Sequence, residues 1–299
     1  RGDELNSPFV SAVGYMRQGH ALMLTSKARQ RAEAFANARK SFKKSIEINQ
    51  SLVLSVLPIE ADWGLCRAYG YLGDLTTAQT HAQSAIESAS QAGDEWVVSL
   101  TRLALGASLV LAARYEAAED WLNRALLGFQ ECSDPFGATA ARLWLSFSFS
   151  KQNQAQSLER SLSEGLAACQ KHGYGFLFTR PSLLGASDPS IFIPLLIKAR
   201  DENWQANYAR QLLGELGLAG IETHPGYRLR VQTMSTFQVW RGDEMIPANG
   251  WRREKARQLF QILLTHRNTT LDRDQLCEHL WPEVAPKTAQ RNFKTTLNT

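Results

Sequence analysis

The sequence contains no Gly-Lys dipeptide, so the Gly-x-x-x-x-Gly-Lys-Ser/Thr loop that cradles nucleotide phosphates is absent. It has no Gly-x-Ser-x-Gly elbow to present a serine nucleophile and no His-Glu-x-x-His zinc site. Its histidines (His20, His81, His172, His224, His266 and His279) are scattered rather than grouped. Cysteine is scarce: Cys66, Cys132, Cys169 and Cys277 form no C-x-x-C pair. Isolated cysteines on helical patterns read as reduced core thiols, which fits a cytoplasmic setting. Long apolar runs are missing too. The uncharged stretch 103–113 is closed by Arg102 and Arg114 and falls well short of the ~20 residues a membrane span needs. The opening Arg1-Gly2-Asp3-Glu4 does not resemble a signal peptide and lacks an initial Met, so the chain reads as a piece of a longer protein. No catalytic residue, metal, cofactor or membrane partner is therefore expected.

What is present is an ordinary folded composition, with 44% apolar residues over 299 positions. That length points to two domains, or to an elongated array followed by a domain. Charge is unevenly shared. Residues 226–299 hold 12 Lys/Arg against 7 Asp/Glu, whereas residues 1–225 hold 21 against 22. A basic closing quarter is one mark of a nucleic-acid-facing end.

The first 172 residues repeat. Ala38, Ala78, Ala118 and Leu158 stand 40 residues apart, and Phe42, Ala82, Leu122 and Leu162 follow at the same interval. So do Ser45, Ala85, Ala125 and Gly165. Twelve residues before the last three anchors come small residues, Cys66, Gly106 and Ser146, each followed three positions on by a bulky one: Tyr69, Leu109 and Phe149. Small side chains let two antiparallel helices approach, and large ones fill the groove beside the crossing. Breaks fall at Gly73-Asp74, Gly93-Asp94, Asp134-Pro135 and His172-Gly173. The first repeat is irregular, since Gly19 precedes Ala38 by 19 residues.

Leu65, Tyr69, Gly73, Ala78 and Ala85, and again Leu105, Gly106, Tyr115, Ala118 and Ala125, fall at the spacing of the tetratricopeptide (TPR) motif, and the region resembles that family. Its period exceeds the usual ~34, as in the repeats of large bacterial activators related to the maltose-regulon activator. The resemblance implies that the first helix of each pair faces inward. Trp63, Tyr71, Leu103, Leu111, Leu143 and Phe147 then either line a concave groove for a peptide, protein or small-molecule inducer or fill the core between repeats. Residues 173–222 read as a closing helix pair: one helix starts at Asp188-Pro189 and carries Ile191–Ile197, and the other carries Tyr208, Leu212, Leu213 and Leu216 before Gly217. Residues 223–226 read as a linker.

From residue 227 the periodicity switches. Tyr227, Leu229 and Val231 alternate with polar residues, Phe237 and Val239 mark a second strand, Gly242-Asp243 a turn, and 245–247 a third short strand. Ala256, Leu259, Phe260, Leu263 and Leu264 form the apolar face of a helix. Asp272 with Gln275 opens a second helix as a capping box, which Trp281-Pro282 ends. A third begins near Pro286, with Ala289, Phe293 and Leu297 as its apolar stripe.

The start Trp251-Arg-Arg-x-Lys-Ala and the end Leu276-x-x-x-Leu-Trp-Pro282 resemble the OmpR-type winged-helix domain of the activator family that includes the antibiotic regulatory proteins. The resemblance covers residues 227–299; the family's wing hairpin and the end of its third helix lie beyond them. It implies that the third helix is a recognition helix in the major groove. Arg291, Lys294, Thr295 and Asn298 would then face DNA, with Lys287 near a phosphate, and Glu283, Val284 and Ala285 would form a loop that touches RNA polymerase. Without that resemblance the same residues are simply a solvated helix face.

The chain is therefore expected to be mostly α: a TPR-like α-solenoid at 1–172, a capping pair at 173–222, a linker at 223–226, and an incomplete small α+β winged-helix domain at 227–299. The expected function is that of a transcription activator fragment whose full-length form binds double-stranded promoter DNA and RNA polymerase. The fragment by itself, lacking the wing, would bind DNA poorly. Any ATPase module of the kind related activators carry would lie before residue 1. The alternative is a protein- or peptide-docking scaffold whose C-terminal module does not bind DNA.

Overall fold

Left-handed residues punctuate the repeat at a spacing of 20: Gly73, Gly93, Ala113, Ser133, Asn153 and Gly173 all have φ between +55° and +89°. The computed structural model describes residues 7–25, 31–52, 56–242, 244–266 and 269–298, and it divides into two units, residues 1–228 and 229–299. The first unit is an α-solenoid of helix pairs: α1 (Pro8–Thr25) with α2 (Arg31–Asn49), α3 (Val56–Gly70) with α4 (Leu75–Gln91), α5 (Glu95–Leu111) with α6 (Tyr115–Glu131), and α7 (Pro135–Lys151) with α8 (Ala155–His172).

The helices α3 to α8 end in the same way. The N–H after the left-handed residue donates to a carbonyl five positions back: Asp74 to Tyr69, Asp94 to Ala89, Arg114 to Leu109, Asp134 to Phe129, Gln154 to Phe149 and Tyr174 to Cys169, at 2.8–3.1 Å. This closure satisfies carbonyls that the helix end would otherwise strand. Asp74, Asp94 and Asp134 then cap the next helix through their carboxylates, each such cap contributing ~1 kcal/mol. Arg114 and Gln154 provide no side-chain cap.

Ala113 occupies the left-handed region at φ 57°, where a β-carbon is disfavoured. We expect Ala113→Gly to stabilise the protein by about 1 kcal/mol, a rise of roughly 2–4 °C in Tm, measurable by thermal denaturation. An unchanged or lowered Tm would contradict this reading of the turn.

The helices meet where the sequence is small. Ala38, Ala78, Ala118, Leu158 and their period-mates Phe42, Ala82, Leu122 and Leu162 are all buried, as are Cys66 and Ser146. Gly106 lies so close to Leu122 that a β-carbon there would stand 2.7 Å from Cδ2. The ring of Phe42 likewise occupies the space that β-carbons on Gly19 and Gly64 would need, which lets α2 settle between α1 and α3. Of the cysteines, Cys66, Cys169 and Cys277 are buried, but Cys132 is the exposed C-cap residue of α6 and not a core thiol. Among the described residues no helix is long and apolar enough to cross a membrane.

Past α8 the chain makes one turn of helix, α9 (Phe176–Thr179), and runs without regular structure through residues 180–188. A 3-10 turn follows at Pro189–Phe192, then α10 (Ile193–Asp201) and α11 (Ala206–Glu215). The helix expected from Asp188-Pro189 thus begins as a 3-10 turn: Asp188 accepts from Ser190 N, and α-geometry starts at Ile193. Residues 223–228 belong to the first unit, where His224 Nδ1 accepts from Gly226 N and Arg228 Nε donates to Ser190 Oγ.

The second unit opens with an antiparallel sheet, β1 (Leu229–Gln232), β2 (Gln238–Arg241) and β3 (Glu244–Ile246), in that order, with Val231 opposite Val239 and Val239 opposite Ile246. Of the Gly242-Asp243 turn, Gly242 has φ 62°, and Asp243 lies outside the described residues. Three helices follow: α12 (Glu254–Thr265), α13 (Arg273–Leu280) and α14 (Pro286–Leu297). The capping box of Asp272 and Gln275 is formed. Two apolar faces differ from expectation. On α12 only Leu259 is buried, and Leu263 is 45% exposed; its far side borders an open cleft of about 670 Å³ with Val231, Phe237 and Leu264. On α14 the buried stripe is Ala289, Phe293 and Thr296, while Leu297 is 59% exposed. The stripe advances by three residues rather than four in the last turn, which carries Leu297 around the helix, away from Leu259, Leu276 and Leu280.

Candidate functional site

Two surfaces carry the residues singled out by the sequence. The first is α14. With Ala289, Phe293 and Thr296 packed inward, Lys287, Arg291, Lys294, Thr295 and Asn298 are all exposed. The helix contains three basic residues and no acidic one, and among the described residues none of the three is in an ion pair. Thr295 Oγ1 donates to the Arg291 carbonyl at 3.0 Å. Pro286 begins the helix where its missing N–H costs nothing, and Gln290 reaches Asp274 of α13 at 3.0 Å, tying the two helices together. In the loop before it, Glu283 and Ala285 are exposed, and Val284 folds back with its N–H on the Trp281 carbonyl. Lys255 Nζ donates to the Leu280 carbonyl at 2.6 Å and fixes α12 against the end of α13.

The second surface is the face made by α3, α5 and α7. Here the expected set divides. Trp63, Leu103 and Leu143 are buried in the core, Leu111 is exposed, and Tyr71 and Phe147 are half-buried. The face is not open: residues 180–188 lie across it as a strap. Arg67 Nη2 donates to the Ser182 carbonyl at 2.8 Å, Trp144 Nε1 to the Leu184 carbonyl at 3.0 Å and Tyr71 Oη to the Gly185 carbonyl at 3.1 Å. Within the strap, Gly185 N donates to Ser182 Oγ. Phe192, just beyond it, packs edge-on against Trp144, Phe147 and Phe178.

Arg67, Trp144 and His20 were not among the residues the sequence picked out for this face. A guanidinium between Cys66 and Ala68, within the otherwise uncharged stretch 63–71, was the available signal. Arg67 is 1% exposed, and its Nε and Nη1 have no hydrogen-bond partner; its guanidinium stacks over the Tyr71 ring at 5.0 Å. His20 is buried between Phe42 and Trp63 with both ring nitrogens unpartnered. Burial, reinforced by the charges of Arg67 and Arg17, holds its pKa down to about 3. Burial also pushes the Cys66 and Cys169 thiols up to about 12 and raises the Tyr71 phenol. Among the described residues no group of His, Cys, Asp and Glu could hold a metal ion.

The His20 shift has a thermodynamic consequence. Its folded pKa lies below the unfolded value, so the unfolded chain binds the extra proton between about pH 6.5 and 3. Stability is complete above 6.5 and falls as pH drops through that window. Acidifying from pH 7.5 to 5 is expected to cost on the order of 2 kcal/mol from this residue. Urea titrations of wild type and His20→Leu at the two pH values check it: the variant should lose correspondingly less.

The chain matches no protein-family model and no curated protein. Among solved structures it is similar to a Rap protein complexed with competence and sporulation factor, at 14% identity and a TM-score of 0.46. The similarity covers 68% of this chain and 60% of that one, so the chain spans less than two thirds of that structure.

Proposed function

We propose that this chain is part of a cytoplasmic transcription activator in which the helical repeats receive a signal and the closing unit binds promoter DNA without catalysing a reaction. The observation that carries the reading is α14: one face is anchored in a small core by Ala289, Phe293 and Thr296, and the other offers Lys287, Arg291, Lys294, Thr295 and Asn298 to solvent with no acidic residue among them. A helix of this kind, joined to a capped helix by a short loop, has the composition that major-groove recognition requires. Arg can read guanine and Asn adenine through paired hydrogen bonds, while Lys holds phosphates. The basic excess of residues 226–299 and the winged-helix-like sequence pattern support the same assignment. On this reading Glu283 and Ala285, exposed ahead of α14, form the surface offered to RNA polymerase.

The test is recovery of DNA. The protein in its natural full length, mixed with sheared genomic DNA of its source, is expected to enrich a few discrete sites upstream of genes. Uniform recovery across the genome, or none, would contradict the proposal. The second reading, a peptide-docking scaffold, is favoured by the repeat face on which Arg67, Tyr71 and Trp144 hold a non-helical segment by its main chain. It is compatible with the first, since a docked peptide is one form a signal can take.

A further inference from the structure

We propose that the face of α3, α5 and α7 now covered by residues 180–188 is a binding site for an acidic peptide, whose carboxylate pairs with the buried guanidinium of Arg67 as the peptide displaces the strap. This deepens the assignment of the repeats as the signal-receiving arm and rests on it.

Three side chains, Arg67 of α3, Tyr71 just past its end and Trp144 of α7, donate to three carbonyls within four residues of the strap. All three bonds go to main-chain carbonyls of a bent segment, so another chain that takes the same bend can satisfy them. Main-chain capture with a few side-chain subsites is a general mode of peptide recognition. What the strap does not supply is charge. Arg67 is almost fully buried with one carbonyl acceptor, one aromatic face, and Nε and Nη1 unpartnered. Burying a cation without an anion is costly, and a guanidinium is built to bind a carboxylate through two parallel hydrogen bonds. Nearby, His20 of α1 is a second buried polar side chain with no partner, close enough for the Arg67 charge to be felt. Among the described residues no acidic side chain pairs with Arg67, so the site carries uncompensated positive charge that a carboxylate would neutralise.

Leu184 and Ala186 of the strap are buried in the core, so a peptide that displaces it must cover the same apolar face. The strap's internal closure is one hydrogen bond, Gly185 N to Ser182 Oγ. A β-carbon on Gly185 would stand 2.5 Å from that hydroxyl, so Gly185→Ala loosens the strap without touching the repeat helices.

The experiment uses the whole 299-residue chain and two fluorescent nonapeptides: a copy of residues 180–188 and the same copy carrying Ser182→Asp. Anisotropy titrations are run on wild type, on Gly185→Ala, and on Gly185→Ala with Arg67→Gln. Should Gly185→Ala not fold, Tyr71→Phe takes its place, removing one strap bond and no more. The aspartate peptide is expected to bind the loosened variant at least tenfold more tightly than the plain copy. That preference should vanish with Arg67→Gln, and the amides of 182–186 in the intact chain should exchange faster when the peptide is bound. The proposal is overturned if neither peptide binds, if both bind equally, if the preference survives Arg67→Gln, or if the strap amides stay protected. Succinate competing as well as the peptide would assign the site to a small acid and overturn the peptide assignment. No arm involves DNA, so failure here leaves the DNA reading standing, and failed DNA recovery leaves this result intact.

Discussion

Replacing Trp144 by alanine is expected to destabilise the repeat unit by about 3–5 kcal/mol, the usual cost of removing a large side chain from a closed core. Trp144 is fully buried. Its ring meets Phe192 edge-on at 5.2 Å and Tyr71 at 6.3 Å, and its indole N–H holds the Leu184 carbonyl. Alanine leaves a cavity between α7 and the strap and strands that carbonyl away from water, which adds about 1–3 kcal/mol of desolvation cost where no water can enter. Trp144→Phe keeps most of the packing and loses the hydrogen bond, so it should cost less. Urea denaturation of both variants separates the two contributions. A loss under about 1 kcal/mol for the alanine variant would mean that the strap is not packed on α7 as described.

The second large effect is on DNA. Arg291→Ala combined with Lys294→Ala is expected to weaken promoter binding by the natural full-length protein by roughly 10- to 1000-fold. Losing the base contact costs about 1–3 kcal/mol, and losing the phosphate contact weakens binding further at every sequence. Thermal stability should stay within about 0.5 kcal/mol of wild type, because both side chains are exposed and are in no ion pair among the described residues. Affinity and stability moving together would make the two residues structural. Affinity unchanged would favour a docking scaffold whose closing unit leaves DNA alone.

The solenoid was legible because its constraint is local and periodic. Small and apolar residues recur every 40 positions, and each lands at a helix crossing, as Gly106 does against Leu122. The finer period of 20 went unread because only some turns are marked by glycine. Ala113, Ser133 and Asn153 adopt the same left-handed geometry as Gly73, held by the hydrogen-bond closure and not by residue type. The strap was illegible for a different reason. Residues 180–188 have no periodicity, and their order comes from Arg67, Tyr71 and Trp144, which lie 40 to 115 positions away. An apolar-pattern reading also passes over a buried arginine, and so Arg67 was missed while Leu111, which is exposed, was chosen.

In the closing unit the capping box and the three-helix order were readable from spacing alone. The end of α14 was not. Whether Thr296 or Leu297 faces inward depends on where α12 and α13 sit, and a stripe at 289 and 293 admits either. The basic face is unaffected by this choice, since Arg291, Lys294, Thr295 and Asn298 stay exposed with Thr296 turned in.

The most direct measurement is the salt dependence of promoter binding by the natural full-length protein. If α14 is held against the phosphate backbone through Lys287, Arg291 and Lys294, the logarithm of the binding constant should fall linearly with the logarithm of salt concentration, with a slope of about −3 or steeper. Affinity that does not change between 50 and 200 mM salt would contradict it.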